Sequence, residues 1–189
     1  MARVILIPGT HGALGRMDNN SRWWRPGLEF WDMLKAAGHH PESFGWDTFI
    51  EGMFGPNTRW KNNGEWLARL VMAGERPCVI AFSHGGNILP YASLAGAEFG
   101  HVVTVGTPPR TDVDYAALRD HCHFWTHIHG NWRDVLAVLG GVGDGDFNWF
   151  RRRMPLADKN IQLPMGHTEL IDPAVWREHG LLDSLGKVL

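Results

Sequence analysis

Short apolar runs alternate with stretches of helical spacing along this chain, and glycine and proline clusters mark the joins between them. The runs cover residues 3–7, 77–82, 101–105, 124–129 and 160–163, with a weaker one at 42–46. Each is rich in β-branched or aromatic residues. Several are apolar on consecutive positions rather than alternating ones, the pattern of strands covered on both faces. Helical spacing fills residues 26–37, 64–73, 86–97 and 115–122, and a closing helix is predicted over 173–185, with Pro173 in its first turn. In the second of these, Trp66, Leu67, Leu70 and Val71 form one apolar stripe. The alternation predicts βαβ units with right-handed crossovers, a three-layer α/β sandwich around a mainly parallel sheet of about six strands. Residues 130–159 depart from it: a helical piece (132–139), the run Gly-Gly-Val-Gly-Asp-Gly, then an aromatic and basic segment. No repeat, low-complexity tract or linker divides the chain, so one domain is expected over residues 1–189.

Composition changes this picture little. Hydrophobic residues make up 44% and charged residues 20%, and the formal net charge is −2, so nothing draws the chain toward nucleic acid or an anionic membrane. Arg151, Arg152 and Arg153 are too short a run to form a basic patch. The two cysteines, Cys78 and Cys122, have no metal-ligand spacing and make no disulfide framework. The first apolar run begins at once after Met1-Ala2, with no signal-peptide pattern before it, so the expected location is the cytoplasm. No apolar stretch reaches the roughly 18 residues of a membrane span.

In an open parallel sheet, ligands bind at the carboxyl ends of the strands, and the loops after the apolar runs are where chemistry should lie. After the third run stands Ala81-Phe82-Ser83-His84-Gly85-Gly86, followed by a helical pattern. A serine at the apex of a strand–turn–helix, with small residues two before and two after it, has the form of a nucleophile elbow. The pattern is A-x-S-x-G, and alanine at the first position adds little bulk. After the last run comes Pro164-Met165-Gly166-His167-Thr168-Glu169-Leu170, where His167 has the setting of a base that must reach Ser83. Asp134 follows the fifth run and offers a carboxylate to orient the imidazole. Asp144 and Asp146 are alternatives within the glycine-rich run. The order Ser83, Asp134, His167 is that of α/β-hydrolases.

The chain resembles the small, lidless bacterial lipases and esterases of the minimal α/β-hydrolase type. The resemblance rests on V-I-L-I-P-G-T-H-G at the start, A-F-S-H-G-G, V-V-T-V-G-T-P, and N-I-Q-L-P-M-G-H-T-E-L near the end. It covers nearly the whole chain and weakens over 16–75 and 140–159, where the substrate pocket would be shaped. It implies a Ser-His-Asp serine hydrolase that cleaves carboxylic esters through an acyl-enzyme, without cofactor or metal. Two backbone N–H groups would form the oxyanion hole: that of His84, which follows the nucleophile, and that of Thr10. His11-Gly12 offers a second register that would nominate Ala13 in place of Thr10.

Ten tryptophans are heavy usage. Most should be core, but Trp23, Trp24, Phe54, Trp60, Trp132 and Trp149 fall in expected loops. Trp24, Trp60 and Trp132, with His11, are candidates to line a substrate groove. The imidazoles of His121, His123, His127 and His129 invite a zinc site, but structural zinc spacing is absent, and His127 and His129 read better as wall residues near the catalytic edge. The expected partner is a small-molecule ester. A thioesterase or amidase would share the machinery, and a non-catalytic binding module on the same fold stays open.

Overall fold

The computed structural model describes residues 2–9, 23–46, 58–71, 74–131 and 152–185. Six parallel strands form one open sheet in the order β2-β1-β3-β4-β5-β6: β1 (Arg3–Ile7), β2 (His40–Ser43), β3 (Cys78–Phe82), β4 (Phe99–Val105), β5 (Cys122–His129) and β6 (Lys159–Gln162). Register explains why the central strands carry few polar residues. Ile5, Val79, Val102 and Trp125 lie in line across the sheet and join the core of one face, while Leu6, Ile80 and Val103 lie in line one position on and join the other. With a side-chain period of two and both faces covered, β1 and β3 run apolar on consecutive positions, while the buried Thr104 and His127 of β4 and β5 are hydrogen-bonded to each other.

Helices α1 (Glu29–Ala36) and α5 (Pro173–Glu178) cover the first face through Phe30, Leu34 and Trp176. On the second lie α2 (Thr58–Leu70), α3 (Ile88–Leu94) and α4 (Tyr115–Asp120), through Leu67, Leu89 and Leu118. This is the expected three-layer sandwich. Cys78 belongs to the first core and Cys122 to the second, on opposite faces of the sheet, and both are free thiols. Among the described residues no helix is long and apolar enough to cross a membrane.

Three elements differ from the sequence pattern. The edge strand β2 is His40–Ser43, not 42–46. Its polar side chains face outward, while Phe44 and Trp46 follow it as buried anchors, Trp46 donating from Nε1 to the Pro8 carbonyl at 2.7 Å. α2 starts at Thr58, and its buried stripe is Trp60, Gly64 and Leu67, with Val71 buried just past its end; Trp66 and Leu70 of the expected stripe are 46% and 41% exposed. Gly64 hid the first turns from the pattern, yet it is the closest point of the helix pair. A Cβ there would stand 2.5 Å from Tyr91 Cβ in α3. The closing helix ends at Glu178 because Gly180 turns left-handed (φ 58°), and a short 3-10 turn, Leu182–Ser184, follows.

The sheet order reverses beside β1, since the chain leaves β1 for β2 on one side and returns through β3 on the other. Such a switch point leaves a crevice at the carboxyl ends of the two central strands. Pro8-Gly9 and Ser83 flank it.

Candidate active site

Ser83 follows the last residue of β3 and opens a 3-10 turn, Ser83–Asn87, that runs into α3. Its φ is 52°, and it is the one non-glycine residue with positive φ among those described. A left-handed residue with a Cβ costs about 1–2 kcal/mol and persists only where its surroundings over-determine it. Here three glycines allow the chain to close around the serine. A Cβ on Gly9 would stand 2.6 Å from Ser83 Cβ, one on Gly85 2.3 Å from the Pro8 carbonyl oxygen, and one on Gly86 2.2 Å from Thr107 Oγ1. The elbow is thus wedged between the ends of β1 and β4. The pattern A-x-S-x-G found Gly85, but the approaches at Gly9 and Gly86 are equally tight.

His167 arrives at the same edge from the other end of the sheet. Its ring is 8% exposed and lies 4.8 Å, centroid to centroid, from the ring of Phe82, the residue before Ser83. Phe82 pairs with Val105, so the next residue of β4's exit, Gly106, lies beside the elbow. The imidazole covers Gly106 so closely that a Cβ there would meet Cε1 at 2.9 Å and Nδ1 at 3.0 Å. Gly106 also has φ 58°. The loop carrying His167 is fixed on both sides: Glu169 accepts the Gly166 N–H at 2.6 Å, and Trp176 Nε1 donates to the Leu170 carbonyl at 2.8 Å. Sequence reasoning missed Gly106. Its signal was V-T-V-G-T-P, a glycine at the end of β4 matching the serine at the end of β3.

The His84 side chain is buried, and its imidazole stacks on Trp60 (5.7 Å, 28°). The guanidinium of Arg110 lies 4.8 Å from the centroid of the same indole. Arg110 is itself held by a two-point pair with Asp112, both contacts 2.8 Å. A second link joins this segment to the elbow: Tyr115 donates its phenol O–H to Asn87 Oδ1 at 2.6 Å and accepts the Arg110 N–H at 3.3 Å. Burial holds the Tyr115 phenol above its ordinary pKa, so it stays a donor.

Trp24 and Trp60, expected to line a groove, are 8% and 3% exposed, and both belong to the packed core. Large rings reach inward from loops and helix starts as readily as they line a cleft, and position in the sequence does not distinguish the two. Asp134, Thr10, His11 and Trp132 lie outside the described residues, as do Ala13, Phe54, Asp144, Asp146 and Trp149.

His127 and His129 share a face of β5 as expected, their rings stacked 5.6 Å apart. Both nitrogens of His127 are engaged. Nε2 lies 2.8 Å from the Arg152 carbonyl, which can only accept, so Nε2 carries the hydrogen and Nδ1 accepts from Thr104 Oγ1 at 2.8 Å. Thr104 in turn accepts from Trp125 Nε1 at 2.9 Å. Burial, countered in part by the Arg152 carbonyl, pushes the His127 pKa down to about 3. Among the described residues no group of three or more His, Cys, Asp or Glu is placed to hold a metal ion. A cavity of about 280 Å³ opens between α4 and residues 154–156, lined by Arg110, Val113, Tyr115, Trp125, Met154 and Leu156. Neither Ser83 nor His167 lines it.

No protein-family profile matches the sequence, and no curated protein does. The crystal structure of the ydeN gene product from B. subtilis is similar to this chain with a TM-score of 0.57 and 10% identity, over 98% of each chain. At that identity the likeness speaks to fold, and the fold is α/β-hydrolase-like.

Proposed function

We propose that the protein is a serine hydrolase that cleaves carboxylic esters. The observation that carries this reading is the strained, left-handed Ser83 at the switch point of the sheet, with the His167 imidazole packed on Phe82 and Gly106 at the same edge. A turn with no task for the serine would relax its φ or place glycine there.

In this reading Ser83 Oγ attacks the acyl carbonyl while His167 takes its proton. The tetrahedral oxyanion is met by the N–H groups of His84 and Thr10, each such donor contributing about 3–4 kcal/mol to the barrier reduction. The contact of Gly9 with Ser83 Cβ supports Thr10, which follows it in the chain. Collapse expels the alcohol, protonated by His167, and leaves an acyl-enzyme. Water activated by the same imidazole then frees the acid and restores Ser83. Asp134 holds the His167 tautomer and stabilises the imidazolium.

The test is labelling with a fluorophosphonate, followed by a panel of p-nitrophenyl esters, thioesters and amides. Labelling confined to Ser83, abolished in Ser83→Ala, with acetate or butyrate esters turned over, is the expected result. Label on another serine, or inert short-chain esters beside an active amide, would sink the reading as stated.

A further inference from the structure

Trp60 and Gly64 lie one turn apart on α2 and form its seam with the elbow and α3. Gly64 brings the helices to closest approach, its would-be Cβ only 2.8 Å from the Ala92 backbone nitrogen, and Trp60 meets the His84 imidazole. Trp60 is a costly choice for simple packing. Its Nε1 is buried and has no hydrogen-bond partner among the described residues, a loss of about 1–3 kcal/mol that phenylalanine or leucine would avoid. What the larger ring supplies is a face wide enough for the His84 imidazole at 5.7 Å and the Arg110 guanidinium at 4.8 Å from its centroid.

His84 matters because the peptide joining it to strained Ser83 carries one of the two proposed oxyanion donors. The direction of that N–H depends on ψ of Ser83 and φ of His84. Both adjoin the left-handed φ of Ser83, 52°, a conformation that persists only where the surrounding packing holds it. We propose that Trp60, braced by Arg110, is a positioning residue that acts through the His84 imidazole to aim the His84 N–H at the oxyanion. This rests on the serine-hydrolase reading. Trp60 touches no substrate in this role. The Tyr115–Asn87 hydrogen bond secures the far end of the same 3-10 turn, and the stack on Trp60 bears on the His84 end.

The prediction is a kcat effect without a matching KM effect. Losing an oxyanion donor costs about 10²–10³-fold, so misaiming one through Trp60→Leu should lower kcat about 10–100-fold with KM within about threefold. Affinity for a trifluoromethyl ketone, whose hemiketal presents an oxyanion, should fall in parallel with kcat/KM. Trp60→Phe, which keeps a face for the imidazole, should recover most of the loss. His84→Ala retains the backbone N–H but removes the ring, and should lower kcat to a similar extent. In that background Trp60→Leu should add less than about twofold, the non-additivity of two residues acting as one. His84→Ala also serves if Trp60→Leu fails to fold. A fluorophosphonate assay precedes the kinetics. An unlabelled wild type overturns both the hydrolase reading and this proposal. A labelled wild type with normal kcat in His84→Ala, or with additive losses in the double variant, overturns the positioning role alone.

Discussion

The imidazole of His167 occupies the space that a side chain on Gly106 would need, at 2.9 Å from its Cε1 and 3.0 Å from its Nδ1. Gly106→Ala therefore does two separable things. It places a Cβ on a residue with φ 58°, costing about 1 kcal/mol, and it drives the imidazole off its seat. A displacement of about 1 Å in a reacting group can cost about 10²-fold, and kcat should fall by about that much. Gly96→Ala is the control. Gly96 has φ 93° with nothing within 4 Å of a Cβ, so it should lose stability alone. Equal kcat in the two variants would show that the seat of His167 on Gly106 does not matter to turnover.

The strain at Ser83 has its own signature. Ser83→Gly should abolish turnover yet raise stability by about 1 kcal/mol, because glycine adopts positive φ without the Cβ clash. For a chain of this length that is about 2–4 °C in Tm. Ser83→Ala should also be inactive but gain nothing, since it keeps the Cβ. Thermal unfolding of the three proteins decides; an alanine variant as stable as the glycine one would remove the strain argument.

His127 predicts acid lability. Its folded pKa, about 3, lies below the ordinary 6.5, so between those values the unfolded chain binds a proton that the folded protein refuses. Stability from this group is complete above pH 6.5 and is lost as pH falls toward 3, by at most about 1.4 kcal/mol per unit. His127→Gln should be less stable at pH 7, where it breaks the chain from Trp125 through Thr104, but flatter between pH 6 and 4. Urea midpoints across that range measure both, and parallel slopes would contradict the assignment.

How much of this was legible beforehand follows from which interactions are local. Strands buried on both faces announce themselves by unbroken apolar runs, and β3, β4 and β5 stood close to where the pattern put them. The edge strand β2 did not, because an edge position frees it to begin on His40 and Pro41, which carry no apolar-run signal. The tight turn at Ser83 was readable because such a turn needs small neighbours within two residues, and the loop of His167 because it follows an apolar run. Gly106 and the Trp60–His84 stack were not, since each depends on a partner more than 20 positions away. The tryptophans make the same point, for sequence located Trp60 near the site but assigned its face to a ligand when another side chain holds it.

The acid of the proposed triad can be tested by substitution with a neutral isostere. Asparagine at the true acid keeps the shape but cannot stabilise the imidazolium and favours the wrong tautomer, a loss of about 10⁴-fold in kcat in a comparable triad. Asp134 stands just after β5, whose last residue, His129, pairs with Gln162 of β6, the strand that leads to His167. Asp144 and Asp146 lie among glycines, where either Asp or Asn suits a turn and the exchange costs little. Asp134→Asn should therefore cripple ester turnover, while Asp144→Asn and Asp146→Asn should each stay within about tenfold of the parent, or about 1.4 kcal/mol. Circular dichroism would verify that each variant is folded before its kcat is compared. The reverse ranking would move the acid into the glycine-rich run. The imidazole would then be oriented from that run, although its seat on Gly106 and Phe82 would stand unchanged.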